Sequence, residues 1–376
     1  MKHAWIPAVL VVLASCGPAT VPPEHIRSRV MPGLIPVDPS QLPNNSQETD
    51  SPAAHDATVP DFEPLARGTG TPSDQALARG DEAFQREKWD DALHAYVEAA
   101  RLSPDDPAPI VGQVRATLEM ADAPTAHASD PNNESIRRAV AQLRIAVRLD
   151  GNYGPAYKEL GRALLVMGES EQALDSLQRA KERMPNDAEV HSALGVALLA
   201  TGNGQDALVS FRRSVQLDPN NVARQTNLAT ALIMQGHPSD AASVLEQALL
   251  RSPNDGRICT DLGTAYLALG EHSKAMPHLR RAVEISPDRA TFRQNLGYGL
   301  MQLGDSVGAE EQFRKAIALD PKLGSAWVNL GVVLEKMGRS KDARQAFERA
   351  VALDPTDPRP KANLLEMDEM ERTKGK

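Results

Sequence analysis

Among residue types that could do chemistry, this chain of 376 residues offers two cysteines, nine histidines and a set of evenly spaced asparagines. Cys16 ends an apolar run within "VLVVLASCGPATVPPEH", after which the sequence turns polar and proline-rich, so its thiol is a candidate for attachment to lipid. With Cys16 modified, Cys259 has no disulfide partner and reads as a small buried apolar residue. His272 and His278 lie six residues apart with Pro277 between them, which does not place both on one helix face as metal ligands. There is no Gly-x-Ser-x-Gly and no paired-cysteine motif, and "GTGT" at 68–71 lacks the Gly-Lys-Ser/Thr of a phosphate loop. The expectation is a protein without catalytic residues, metal site or cofactor.

The asparagines offer a different chemistry. Asn227, Asn295 and Asn329 stand in one register, with Asp261 completing the series at steps of 34 residues. An amide carries both a donor and an acceptor, which matches a peptide group without reading its side chain. Thr226, Thr230, Thr260, Thr264, Gln294 and Tyr298 lie beside them, because helical residues three and four apart share a face. Lys158, Glu159, Arg162 and Arg257 add charge nearer the N-terminal half.

The elements that must hold this face are repeats. Prolines recur every 34 residues from Pro185 to Pro355, and glycines keep the same step from Gly168 to Gly338. A second glycine column (Gly80, Gly112, Gly161, Gly195, Gly263, Gly297, Gly331, with Ala229 standing in once) allows paired helices to approach closely. An alanine column from Ala92 to Ala343 answers it from the second helix, and Tyr96, Leu177, Phe211, Phe313 and Phe347 supply bulk. The last unit, "AWVNLGVVLEKMGRSKDARQAFERAVALDP", resembles the tetratricopeptide repeat through Trp327, Leu330, Gly331, Ala343, Phe347, Ala350 and Pro355. The resemblance implies an all-α, right-handed superhelical α-solenoid of helix-turn-helix repeats. It also implies that the face carrying Asn227, Asp261, Asn295, Asn329, Thr230, Thr264, Tyr298, Lys158 and Arg162 lines a concave peptide-binding groove. A basic stripe at Arg212-Arg213, Arg280-Arg281, Arg314-Lys315 and Arg349 belongs on the convex, solvated side.

Eight units are expected over 73–357, the second (about 107–153) interrupted by "ADAPTAHASDPNN" at 121–133. A terminal helix in 358–376 covers the last apolar face, as such an array needs for solubility. Residues 1–15 have the layout of a secretory signal, and no apolar run reaches the roughly 18 residues of a spanning helix. Leu13-Ala14-Ser15-Cys16 is similar to the bacterial lipobox, which implies cleavage before a lipidated Cys16. Gly17, rather than Asp, after the cysteine favours the outer membrane, facing the periplasm. Residues 16–72, with eleven prolines after Cys16, form a disordered tether. As a flexible coil it would span roughly 40 Å.

Net charge is −9 and aromatics are 4% of the chain, which gives no basic nucleic-acid surface and no sugar-stacking platform. The resemblances together imply a membrane-anchored scaffold in a bacterial envelope. It would bind a protein partner, as an extended peptide or a helix, with no nucleic acid and no small-molecule substrate. The nearest company is small tetratricopeptide lipoproteins such as secretin pilotins and adaptors of cell-wall hydrolases. A recruiting or regulatory subunit of an envelope polysaccharide or glycosyl-transfer complex is the alternative, and a cytoplasmic co-chaperone the third reading.

Overall fold

A computed structural model describes residues 63–123 and 132–374. Cys16, the segment before it, the 16–72 stretch up to residue 62 and most of the 121–133 insertion lie outside the described residues. Among the described residues there are seventeen α-helices and no strand, an all-α helical repeat solenoid. None of these helices is long and apolar enough to cross a membrane.

Contacts divide the described residues into two bodies, one ending at Ala231 and the other beginning at Leu232. In the first body α1 (Pro72–Gln85) packs on α2 (Trp89–Leu102), α3 (Ala108–Met120) on α4 (Glu134–Leu149), α5 (Gly154–Val166) on α6 (Ser170–Arg183), and α7 (Ala188–Ala200) on α8 (Gly204–Leu217). The division falls within α9 (Val222–Met234). In the second body α10 (Pro238–Arg251) precedes α11 (Gly256–Ala268), which packs on α12 (His272–Ile285). There α13 (Ala290–Gln302) packs on α14 (Ser306–Leu319), α15 (Gly324–Lys336) on α16 (Ser340–Leu353), and α17 (Pro358–Lys374) on α16. The turn between first and second helices needs a left-handed residue. Gly338 supplies it at φ 75° in the last pair, while Glu87 takes the place at φ 58° in the first.

The close helix approach is physical and local. A Cβ added to Gly331 would lie 2.5 Å from the Phe347 ring, and one on Gly297 would lie 2.8 Å from the Phe313 ring. Tyr96 is wedged between two such glycines, Gly80 and Gly112, each of whose absent Cβ would come within 2.5 Å of its ring. Several units are also tied to the loop before them. The fourth side chain of the first helix donates to a proline carbonyl six residues back: His191 Nε2 to Pro185 at 2.9 Å, Arg293 Nε to Pro287 at 2.7 Å and Trp327 Nε1 to Pro321 at 3.1 Å. Cys259 falls in this register with a thiol in place of a strong donor; it is buried, in an apolar cluster with Ala282 and Phe292. In α17 Met367 is 3% exposed and closes the cluster built by Phe313, Phe347 and Val333.

Candidate peptide-binding faces

First helices touch one another as well as their own partners: α1 with α3, α3 with α5 and α5 with α7 in the first body, α11 with α13 and α13 with α15 in the second. Their shared side carries the columns named from sequence. The structure divides those columns between the two bodies, and each body uses them differently.

In the first body the face is charged, buried and internally paired. Arg115 Nε lies 2.8 Å from Glu159 Oε1, Arg162 bridges Glu159 and Glu189 at 3.5 and 3.6 Å, and Arg224 Nη1 reaches Glu189 Oε2 at 3.1 Å. Lys158, 3% exposed, pairs with Asp187 at 2.8 Å and with Glu63 at 2.9 Å. Burial alone would push the Glu159 carboxyl up, but Arg115, Arg162 and Lys158 around it hold it down at about 2. Glu119, at the end of α3, is pushed up to about 7 by burial, against the pull of Arg162. Asn227, 4% exposed, donates from Nδ2 to Ser192 Oγ at 3.3 Å, so its amide bridges α9 to α7. Thr230 is buried beside it in the same helix.

The residues before α1 occupy this charged face. Leu65 is 2% exposed, and the backbone N–H groups of Leu65 and Ala66 donate to Asp81 Oδ2 at 2.7 and 2.9 Å. Tyr96 Oη donates to the other Asp81 oxygen at 2.9 Å. Burial pushes the Asp81 carboxyl up, opposed by the bonds from Ala66, Tyr96 and Leu65. The Glu63 carbonyl accepts from Arg115 Nη1 at 3.1 Å. Arg67 forks onto Asp106 at 2.9 and 3.0 Å and lies 5.4 Å over the Tyr153 ring. Residues 63–71 thus fall within the stretch read as tether and are tied to the helices by directed bonds. Gly68 and Gly70, both left-handed at φ 70° and 72°, turn the chain from this strap into α1, whose N-cap is Thr71.

In the second body the face is polar but uncharged along most of its length. Thr260, Thr264, Gln294, Asn295 and Tyr298 are buried, while Asp261 and Asn329 are half-buried. Thr264 Oγ1 donates to the Thr260 carbonyl at 2.9 Å, and Ser325 Oγ bonds Gln294 Oε1 at 2.6 Å, joining α15 to α13. Asn295 is fully buried, and neither its Oδ1 nor its Nδ2 has a hydrogen-bond partner; Thr260 Oγ1 is unpartnered too. Burial pushes Asp261 up to about 7, with Asp255 adding to the shift and Arg257 opposing it. Asp261, Asn295 and Asn329 sit on three first helices linked in series, and Tyr298 and Thr264 accompany them.

Sequence reasoning missed the strap and Asp81. Among the described residues no group of three His, Cys, Asp or Glu side chains is arranged to hold a metal. His278 stacks on Tyr266 at 5.8 Å, and burial pushes its imidazole down.

Two tetratricopeptide repeat profiles match the chain, one over residues 77–108, 158–222 and 295–358, the other over 198–258 and 232–296; together they cover more than half of it. No curated protein matches in sequence. Among solved structures, the APC/C hetero-tetramer Cut9–Hcn1 superposes with a TM-score of 0.55 at 14% identity, over 80% of this chain. This chain spans 57% of that one. A tetratricopeptide repeat protein from Parabacteroides merdae superposes with a TM-score of 0.50 at 14% identity, over 70% of this chain and 98% of its own. At such identities the likeness is one of fold, and it agrees with the period and the profiles. The chain belongs to the tetratricopeptide repeat family.

Proposed function

We propose that this protein is a non-catalytic scaffold, lipid-anchored through Cys16 in a bacterial envelope, that holds an extended protein segment on the face of α11, α13 and α15. The observation that carries the binding site is Asn295. A buried amide with neither polar atom satisfied costs on the order of 1–3 kcal/mol per group, which a peptide group supplying both a donor and an acceptor would offset. Thr260 Oγ1, also unpartnered, lies one first helix away. Thr264, Asp261, Tyr298 and Asn329 give the segment further polar neighbours. The anchoring half rests on Leu13-Ala14-Ser15-Cys16, and Gly17 favours the outer membrane, facing the periplasm.

The site is tested by selecting peptides from a displayed random library on the full chain, then measuring their affinity for Asn295→Leu. A fall of tenfold or more is expected; equal affinity for both chains sinks the assignment of this face. Anchoring is tested separately by incorporation of labelled fatty acid, which should vanish in Cys16→Ser.

A further inference from the structure

The segment Glu63–Arg67 lies on the same helical register that forms the face in the second body. Asp81 stands in the column of Thr264 and Tyr298, and Lys158 in the column of Thr260 and Gln294. Together with Arg115 these side chains hold the segment by both its backbone and its Glu63 side chain. Asp81 accepts from two successive N–H groups, Arg115 donates to the Glu63 carbonyl, and Lys158 meets the Glu63 carboxylate. Leu65 is buried between these polar contacts, and Pro64 fixes the backbone ahead of it without adding a donor.

We propose that the face of α1, α3 and α5 is a second peptide site, whose resident occupant is the chain's own Glu63–Arg67. It accepts in exchange a partner segment of the same chemistry: extended, with a carboxylate, an apolar side chain two residues on, and two successive free N–H groups. This inference does not depend on the α11–α15 face.

Three features support exchange. The contacts come from α1 (Asp74, which accepts from the Arg67 N–H at 2.6 Å, and Asp81), from Asp106 in the loop before α3, from Arg115 of α3 and from Lys158 of α5, so the strap is held by side chains of separate parts of the chain, as a ligand is held. Only Gly68–Thr71 joins the strap to α1, and the two glycines face open space. The charges that meet Glu63 keep other partners: Lys158 keeps Asp187, and Arg115 keeps Glu159. Losing the strap therefore strands no buried cation.

So short a link gives the strap an effective concentration on the order of 1 mM. A free peptide should then bind the wild-type chain at least ~10-fold more weakly than a chain whose strap has been disabled. The probe is a fluorescent peptide of residues 63–70, "EPLARGTG", titrated into the full chain and into the double variant Glu63→Lys, Leu65→Glu. Tight binding to the double variant, weak binding to wild type, and none by a peptide carrying the same two changes is the expected result. No binding to a double variant that still melts cooperatively overturns the proposal, as does equal binding to both chains. If the double variant does not fold, amide exchange of Leu65 and Ala66 in the wild-type chain decides. Excess peptide should accelerate it several-fold, and an unchanged rate overturns the proposal.

Discussion

Tyr96 Oη donates to Asp81 Oδ1 across 2.9 Å, while the other oxygen of the same carboxylate holds two backbone N–H groups of the strap. One side chain thus links the packing of α1 on α2 to the seating of the segment before them. Tyr96→Phe keeps the ring between Gly80 and Gly112 but removes a donor from a buried carboxylate. Urea unfolding should show a loss of about 1–3 kcal/mol, and trypsin should cut after Arg67 faster than in wild type. Wild-type stability would mean that Asp81 finds another donor.

The two glycine columns should respond differently to a methyl group. Gly331→Ala places a Cβ 2.5 Å from Phe347, deep in the apolar cluster, and overpacking of this kind costs about 1–3 kcal/mol. Gly338→Ala meets no atom within 4 Å, so its cost is the left-handed backbone alone, about 1 kcal/mol. Equal losses in thermal melts would show that the facing ring moves aside.

Two carboxyls make the fold less stable as pH rises. Asp261 and Glu119 are each pushed up to about 7 from ordinary values of 3.8 and 4.5. Across that window the folded chain holds protons that the unfolded chain has released, so stability falls with rising pH and the fall is complete above about 7. Asp261→Asn removes one contribution and places an asparagine in register with Asn295. Its melting temperature should exceed that of wild type by about 2–4 °C at pH 8 and match it near pH 4. A difference of the same size at both pH values would mean that charge is not the cause.

Glu159 behaves in the opposite sense. Held down at about 2, its carboxylate stabilises the fold above its ordinary 4.5, and that contribution is lost as pH falls towards 2. Removing a partner in Arg115→Met leaves the buried carboxylate short of a cation and should cost about 3–5 kcal/mol at pH 7. The loss should shrink in acid, which urea titrations at several pH values will show.

Asn295→Leu should stabilise the chain, by about 1 kcal/mol or more, because an unpaired buried amide is replaced by an apolar group of similar size. Reduced stability would mean that the amide is paired in solution.

What was legible in the sequence was whatever repeats. The 34-residue step exposed the helix pairs, the glycine seats of Phe313 and Phe347, and the left-handed turn at Gly338, because each recurs several times in the same chemical form. The polar columns were placed on first helices, yet their partners were hidden. Asn227 bonding Ser192 and Ser325 bonding Gln294 depend on how neighbouring helices rotate, which spacing does not report. The strap was illegible for a stronger reason. Glu63 meets Lys158 across 95 positions and Arg115 across 52, and a five-residue extended segment occurs once, with no period to betray it. Its local cue was Leu65, a large apolar residue three positions ahead of the glycine turn that begins at Gly68.

The identical glycine–phenylalanine seats at Gly297–Phe313 and Gly331–Phe347 also bear on how such a chain changes over generations. Excising residues 298–331 would leave Gly297 followed by Val332, with Phe347 at the distance from Gly297 that Phe313 held. The junction would reproduce a contact that already exists, so recombination between repeats in the gene could shorten or lengthen the array without inventing a new interface. The number of units is thus free to drift, while the terminal pieces that occur once, the Leu65 strap and the Met367 helix, cannot be lost or copied in the same way.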